Sequence, residues 1–161
     1  MYINYVPKFK TQDILWLAGI FDLITLDFIT KWLARNYLAQ NPIDVWAGVF
    51  KLSLSYNKGV AFSIPIPNGV MTIMTPILLT ALVILVYKMC DFSKNITKLS
   101  LILLIAGGLG NFINRLWTGA VIDFIEFSFW PSFNFADTYL CIAAFLIILF
   151  YGRITVYGGR K

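Results

Sequence analysis

Two aspartates, Asp123 and Asp137, stand in the stretch GGLGNFINRLWTGAVIDFIEFSFWPSFNFAD, a polar and aromatic segment between apolar runs that also carries Asn111, Arg115 and Asn134. Ionisable groups at the edge of a bilayer are costly, so they call for a chemical reason. Two carboxylates brought close in a poorly hydrated site cannot both ionise easily, and one keeps its proton while the other stays charged. Such a pair can split a peptide bond. The ionised carboxylate takes a proton from a water held between the two, the water attacks the scissile carbonyl, and the protonated partner polarises that carbonyl and then helps protonate the leaving amine. The protons belong to the pair, so the sequence does not say which aspartate starts charged. Because the chain contains no histidine, His-dependent zinc sites and Ser-His or Cys-His nucleophile pairs are excluded. The dyad itself needs neither metal nor organic cofactor.

The elements that hold these groups must be membrane elements. The 161 residues are 59% hydrophobic and only 13% charged, with a mean hydropathy of +0.76, more apolar than a soluble domain can hide from water. Four stretches reach the roughly 20 residues that a helix needs to cross the hydrocarbon core: about 14–34, 69–87, 99–117 and 136–157. The fold class expected is an all-α membrane protein, a four-transmembrane-helix bundle with a small extracytoplasmic β-rich segment. It forms one membrane domain over 1–161, since no repeat or linker divides it. The first span is too long for a signal-peptide core and carries Asp22, Asp27 and Lys31, so it is expected to stay.

The formal charge of +5 is spread over short flanking segments and forms no basic stripe, which argues against nucleic-acid binding. Lys8 and Lys10, then Lys88, Lys94 and Lys98, then Arg153, Arg160 and Lys161 mark one side of the bilayer, so both termini are expected in the cytoplasm and the polar site toward the outer face. Cys90 and Cys141 are expected as apolar packing residues rather than a disulfide.

Between the first two spans, a segment of about 35–68 alternates Phe50, Leu52, Leu54 and Tyr56 with Lys51, Ser53, Ser55 and Asn57, which predicts a strand with one apolar face running into an Asn57-Lys58-Gly59 turn. This segment is expected to act as a lid over the site. The later outer segment, about 118–135, carries Trp117, Phe124, Phe127, Phe129, Trp130 and Phe133 at or near it and is expected at the lipid headgroups. With a rise of about 1.5 Å per residue, Asp27, Lys31, Asn111, Arg115 and Asp137 fall in one layer roughly 5 to 13 Å outward of the midplane. Asp27 with Lys31, and Asn111 with Arg115, are i, i+4 pairs that each share a helix face. Gly107, Gly108 and Gly110 would let neighbouring helices come close. The plainer reading makes Asp27, Lys31 and Arg115 ion-pair partners that tie the bundle together, which is compatible with their supporting a site.

Five motifs carry a resemblance: Leu26-Asp27-Phe28-Ile29-Thr30-Lys31, Asn57-Lys58-Gly59-Val60-Ala61-Phe62-Ser63, Gly107-Gly108-Leu109-Gly110-Asn111-Phe112-Ile113-Asn114-Arg115, Val121-Ile122-Asp123-Phe124 and Phe133-Asn134-Phe135-Ala136-Asp137. In this order, on four spans, the chain resembles lipoprotein signal peptidase, the bacterial signal peptidase II. The resemblance implies an aspartic peptidase of the inner membrane that cleaves diacylglyceryl-modified prolipoproteins on the amino side of the lipidated cysteine. It implies Asp123 and Asp137 as the catalytic dyad, Asn57, Gly59, Gly107, Asn111, Arg115 and Asn134 as site-lining positions, and Asp27 and Lys31 as support. The implied partners are the lipidated substrates and membrane lipids. Oligomeric state is left open by the sequence, although a monomer suffices, since four spans that converge on one polar layer need no second copy to complete a site. Lys58, Asn114 and Asp22 depart from the pattern, and Asp22 near the midplane has no evident task.

Three rivals make different demands. A proton- or ion-coupled transporter would continue its polar groups to the inner surface, where the spans are apolar apart from Asp22 and small hydroxyls. A Ser-Lys peptidase would pair Lys31 with Ser53, Ser55 or Ser63 and leave the aspartates idle. A non-catalytic assembly protein would use the motifs for packing alone.

Overall fold

The computed structural model describes residues 11–59 and 67–155. The terminal lysines and arginines at 8, 10, 160 and 161, and the motif residues Val60 to Ser63, lie outside them. Four long helices follow the four apolar stretches: α1 (Thr11–Tyr37), α2 (Asn68–Met89), α3 (Asn95–Thr118) and α4 (Phe135–Leu149). A one-turn α5 (Tyr151–Ile154) follows a break at Phe150, so the last apolar run is not one helix to 157 as its composition suggests. By length and composition, α2 from Gly69 and α3 qualify as membrane-crossing, whereas α4 at 15 residues is shorter.

The third helix is the centre of the bundle, with α1, α2 and α4 packed on it. Its glycines explain how three neighbours fit. A Cβ on Gly107 would lie 2.5 Å from the backbone oxygen of Ala136 on α4, and one on Gly110 would lie 2.7 Å from Asp27 Oδ2 on α1. At both positions only hydrogen fits, which allows the close helix approach expected from small residues. Below the glycines, Leu103, Leu104 and Ala106 pack with Val86, Tyr139 and Ala143 in the main apolar cluster. Cys90 is buried there, but Cys141 is exposed on α4, because the packed face of α4 runs through Ala136, Tyr139 and Ala143 instead.

The β-rich part is larger than one strand. Four antiparallel strands, β1 (Ile43–Trp46), β2 (Phe50–Asn57), β3 (Val121–Phe127) and β4 (Trp130–Phe133), form a sheet in the order β1-β2-β3-β4, so the segments after α1 and after α3 both contribute. The strand expected over 50–57 is present, yet it is an inner strand, paired on one edge with β1 and on the other with β3. That double pairing holds it within the sheet.

The single apolar face expected for β2 is also interrupted. Leu52 pairs with Ile125 and Ser55 with Asp123, so two residues of β2 oppose one of β3. This bulge flips the side-chain alternation, which brings Ser55 and Asn57 rather than Leu54 and Tyr56 to the face of Asp123. The aromatics of the later segment divide as well. Trp117, Phe129 and Trp130 are exposed, whereas Phe124 is buried against Phe135 with Ala34, Leu38 and Ile122, because β3 packs on α1.

Candidate active site

The start of α4 organises the site. Asn134 is its N-cap: the side-chain Oδ1 accepts the Asp137 backbone N–H at 3.0 Å, and Asp137 Oδ2 accepts the Asn134 backbone N–H at 3.2 Å. This reciprocal capping box satisfies two donors that a helix start otherwise leaves open, and it places a carboxylate where the helix dipole favours negative charge. The other half of the Asn134 side chain reaches across to the sheet, where Nδ2 donates to Asp123 Oδ1 at 2.6 Å. One asparagine thus touches both aspartates.

Each carboxylate has a second amide donor. Asp137 Oδ1 accepts from Asn111 Nδ2 at 2.7 Å, and Asp123 Oδ2 accepts from Asn57 Nδ2 at 3.1 Å. Asn57 is held by its own turn, its Oδ1 accepting the Gly59 N–H at 3.0 Å, an Asx turn that fixes the amide as a donor toward Asp123. Asp123 is almost wholly buried, at 1% exposure. Burial first, and the negative charge of Asp137 second, raise its carboxyl from the ordinary 3.8 to about 6, against the hydrogen bonds of Asn57 and Asn134 and the charge of Lys31. It therefore exchanges its proton close to neutrality.

Beneath the pair lies a second polar tier. Lys31 Nζ donates to Asp27 Oδ2 at 2.8 Å and to Asn111 Oδ1 at 3.0 Å, and Asp27 Oδ1 accepts the Ala136 N–H at 2.9 Å. Asn111 is consequently pinned as acceptor toward Lys31 and as donor toward Asp137. The ion pair is buried, with side chains 3% and 1% exposed, so its charges are compensated by these hydrogen bonds rather than by water. Through Ala136, it also holds the first turn of α4.

Most of the residues singled out by sequence converge here: Asp123, Asp137, Asn57, Asn111, Asn134, Asp27 and Lys31 form one connected hydrogen-bond network. Arg115 differs from the expected ion pair. Its Nη2 donates to the Gly59 carbonyl at 3.3 Å, its Nε is buried without a partner among the described residues, and it lies near enough to interact electrostatically with both aspartates. Gly59 is thereby tied at its N–H to Asn57 and at its carbonyl to Arg115. Gly107 faces the backbone of Ala136 and Leu140, so its part is helix approach rather than site lining, and Gly110 stands nearer the polar tier.

Two contributors have no part in the site as read from the sequence, where Asn114 is marked only as a departure from the family pattern. Asn114 Oδ1 accepts the Ile122 N–H at 2.7 Å, fixing the start of β3 on α3 and hence the height of Asp123. Ala136 contributes through its backbone, which no side-chain pattern reveals. The Asn134-x-x-Asp137 spacing was the available signal for the capping box. For the serine alternative, Lys31 is committed to Asp27 and Asn111 and Ser53 to Glu126 at 2.6 Å, while Ser63 lies outside the described residues.

Known proteins resemble this chain in sequence and in fold. Residues 20–152 match the model of the family described as signal peptidase (SPase) II. A lipoprotein signal peptidase from Chlorobium phaeovibrioides is 36% identical over 162 aligned positions, covering 88% of this chain and 95% of the relative. One from Streptococcus thermophilus is 39% identical over 139, covering 82% and 88%. Among solved structures, a bacterial membrane enzyme determined by the in meso method at 2.3 Å resolution is similar with a TM-score of 0.70 and 29% identity, covering 84% of this chain and 85% of that one. The match of family, of near-full-length relatives and of fold leads to one conclusion: the chain belongs to the signal peptidase II family and is a protease of the aspartic type.

Proposed function

We propose that the protein is an intramembrane aspartic endopeptidase that removes signal peptides from diacylglyceryl-modified prolipoproteins, cutting on the amino side of the lipidated cysteine, with Asp123 and Asp137 as the dyad that activates water. The observation that carries this reading is Asn134, whose side chain and backbone bond both carboxylates at once. Two acids coupled in this way, one of them with its proton held near neutrality, have the properties of a general acid and general base pair. The curated relatives named lipoprotein signal peptidase supply the substrate class.

In this reading α1, α2, α3 and α4 all span the inner membrane as one domain, both termini are cytoplasmic, the sheet lies outside, and the site faces the outer leaflet. The enzyme works as a monomer, because one copy completes the network. Asn57, Gly59, Asn111, Arg115 and Asn134 orient the dyad and the peptide, with Asp27, Lys31 and Gly107 supporting them. The lipid chains of the substrate stay in the leaflet, so the bilayer concentrates it and fixes the depth of the scissile bond.

Asp123→Asn and Asp137→Asn, each assayed on a lipidated prolipoprotein and on the same protein without its lipid, test this. Loss of cleavage in both variants, with the lipid-free substrate uncut by the wild type, is the expected outcome. Survival of cleavage in either variant removes the dyad, and equal cleavage of the lipid-free protein removes the specificity.

A further inference from the structure

Asp22 is a carboxylate that the site does not use. It stands in the middle of α1 with an exposed side chain and, among the described residues, without a hydrogen bond or ion pair. Its depth follows from contacts between α1 and α3, which run in the same direction in the reading above. Lys98 lies over the Trp16 ring at 5.8 Å, Phe28 meets Trp117 at 5.6 Å, and Asp27 abuts Gly110. Asp22 lies between the first two levels, about 7 to 8 Å inward of Asp27, which brings it opposite the middle of α3.

At about 100° per residue, Asp22 projects roughly 140° away from Asp27, on the side of α1 that turns its back to the site. Ala18, Gly19 and Thr25 flank it on that side, Ala18 exposed and the other two half-buried, beside exposed Leu26 and Ile29. Small side chains around a polar one allow a helix to approach closely and make a buried contact. A carboxylate facing hydrocarbon at this depth is unfavourable unless a partner covers it.

We propose that this face of α1 docks a transmembrane helix of another membrane protein, one that presents a Lys or Arg near the bilayer midplane. The inference rests on the reading of α1 as a membrane span. The signal peptide is a poor occupant, since the face points away from the dyad. A second copy is disfavoured by charge: a two-fold pairing through α1 would oppose Asp22 to Asp22, and Lys31, the cation nearest in sequence on α1, is buried and committed to Asp27.

The test uses the full-length protein, donor-labelled, in phospholipid vesicles with acceptor-labelled polyleucine helices of about 20 residues, either all Leu or with one central Arg. The Arg helix should bind about tenfold more tightly than the Leu helix, as expected for one good interhelical contact. Asp22→Leu should abolish the preference and Asp22→Glu retain it, with prolipoprotein cleavage unchanged in both. Equal binding of the two helices by the wild type overturns the proposal. Energy transfer between copies of the protein that Asp22→Leu removes also overturns it, by making the second copy the occupant. Phe21→Cys, in a Cys141→Ser background, separates the two levels of inference. Labelling by a membrane-impermeant maleimide refutes the span and the docking together, whereas protection with equal helix binding refutes the docking alone.

Discussion

Replacing Asp123 by Asn should make the protein inactive and, above about pH 6, more stable relative to the wild type than it is in acid. The folded carboxyl titrates near 6 and the unfolded one near 3.8. Between those values the native state holds more protons than the unfolded chain, so stability is fully present below the lower value and falls as pH rises through the window. Raising the carboxyl from 3.8 to about 6 corresponds to about 3 kcal/mol of stability lost by the time both states are ionised. The cost arises mainly because burial penalises the charge, with Asp137 adding to it. An asparagine removes the charge but keeps only one acceptor for the two amide donors, Asn57 Nδ2 and Asn134 Nδ2, and that conflict costs about 1 to 2 kcal/mol at every pH. The quantity that isolates the carboxyl is therefore the change in the mutant-minus-wild-type difference between pH 4 and pH 8, about 2.4 kcal/mol in favour of the mutant at the higher pH, because the unfolded carboxyl is already more than half ionised at pH 4. Unfolding by SDS in mixed micelles, followed by tryptophan fluorescence at both pH values, measures it. Parallel curves, with the same difference at pH 4 and pH 8, would refute the argument that Asp123 is held protonated by its surroundings.

Four further outcomes are expected. Lys31→Met should destabilise by about 3 to 5 kcal/mol because it strands Asp27 as a buried charge, and adding Asp27→Asn should recover a good part of that loss in the same unfolding assay. Gly110→Ala, whose Cβ would press on Asp27, should cost about 1 to 3 kcal/mol and reduce cleavage, whereas Gly19→Ala, with open space around it, should be neutral or slightly stabilising. Asp137→Ala removes both the dyad member and half of the capping box, so turnover of a lipidated prolipoprotein should fall about 10²- to 10⁴-fold or more, with roughly 1 kcal/mol of stability lost. Asn114→Ala, which frees the Ile122 N–H, should lower cleavage without touching either aspartate, and unaltered turnover would show that the height of β3 is set elsewhere.

The order of elements, the apolar helices and the membership of the polar network were legible in the chain because each is written locally. Hydrophobic run length marks the helices, and the i, i+4 spacing of Asp27 with Lys31 places both on the face that meets Asn111. Glycines at 107 and 110 signal close packing, since absence of a side chain is itself a local fact. The second half of the sheet was not legible. The segment from Val121 to Phe133 reads as an aromatic interfacial stretch, and only pairing with β2, far away in sequence, makes it two strands. The exposure of Cys141 and the break at Phe150 belong to the same class, being decided by which face of α4 meets α3 and by where the chain turns to meet Cys90.

Sequence alone thus determined the membership of the polar network: two acids, three amides, the ion pair of Asp27 with Lys31, and helices apolar enough to carry them. Tertiary structure decided how those groups face one another. The bulge in β2 shifts the side-chain parity so that Asn57, not Tyr56, shares a face with Asp123, and the cap of α4 turns Asn134 into a bridge between carboxylates on two different elements. Arg115, which charge counting would pair with an acid, is directed instead to the Gly59 carbonyl because the turn after β2 comes to rest above it. Alternation and helix period fix faces within an element, but the relation between elements depends on registers and close approaches that exist only once the chain has folded.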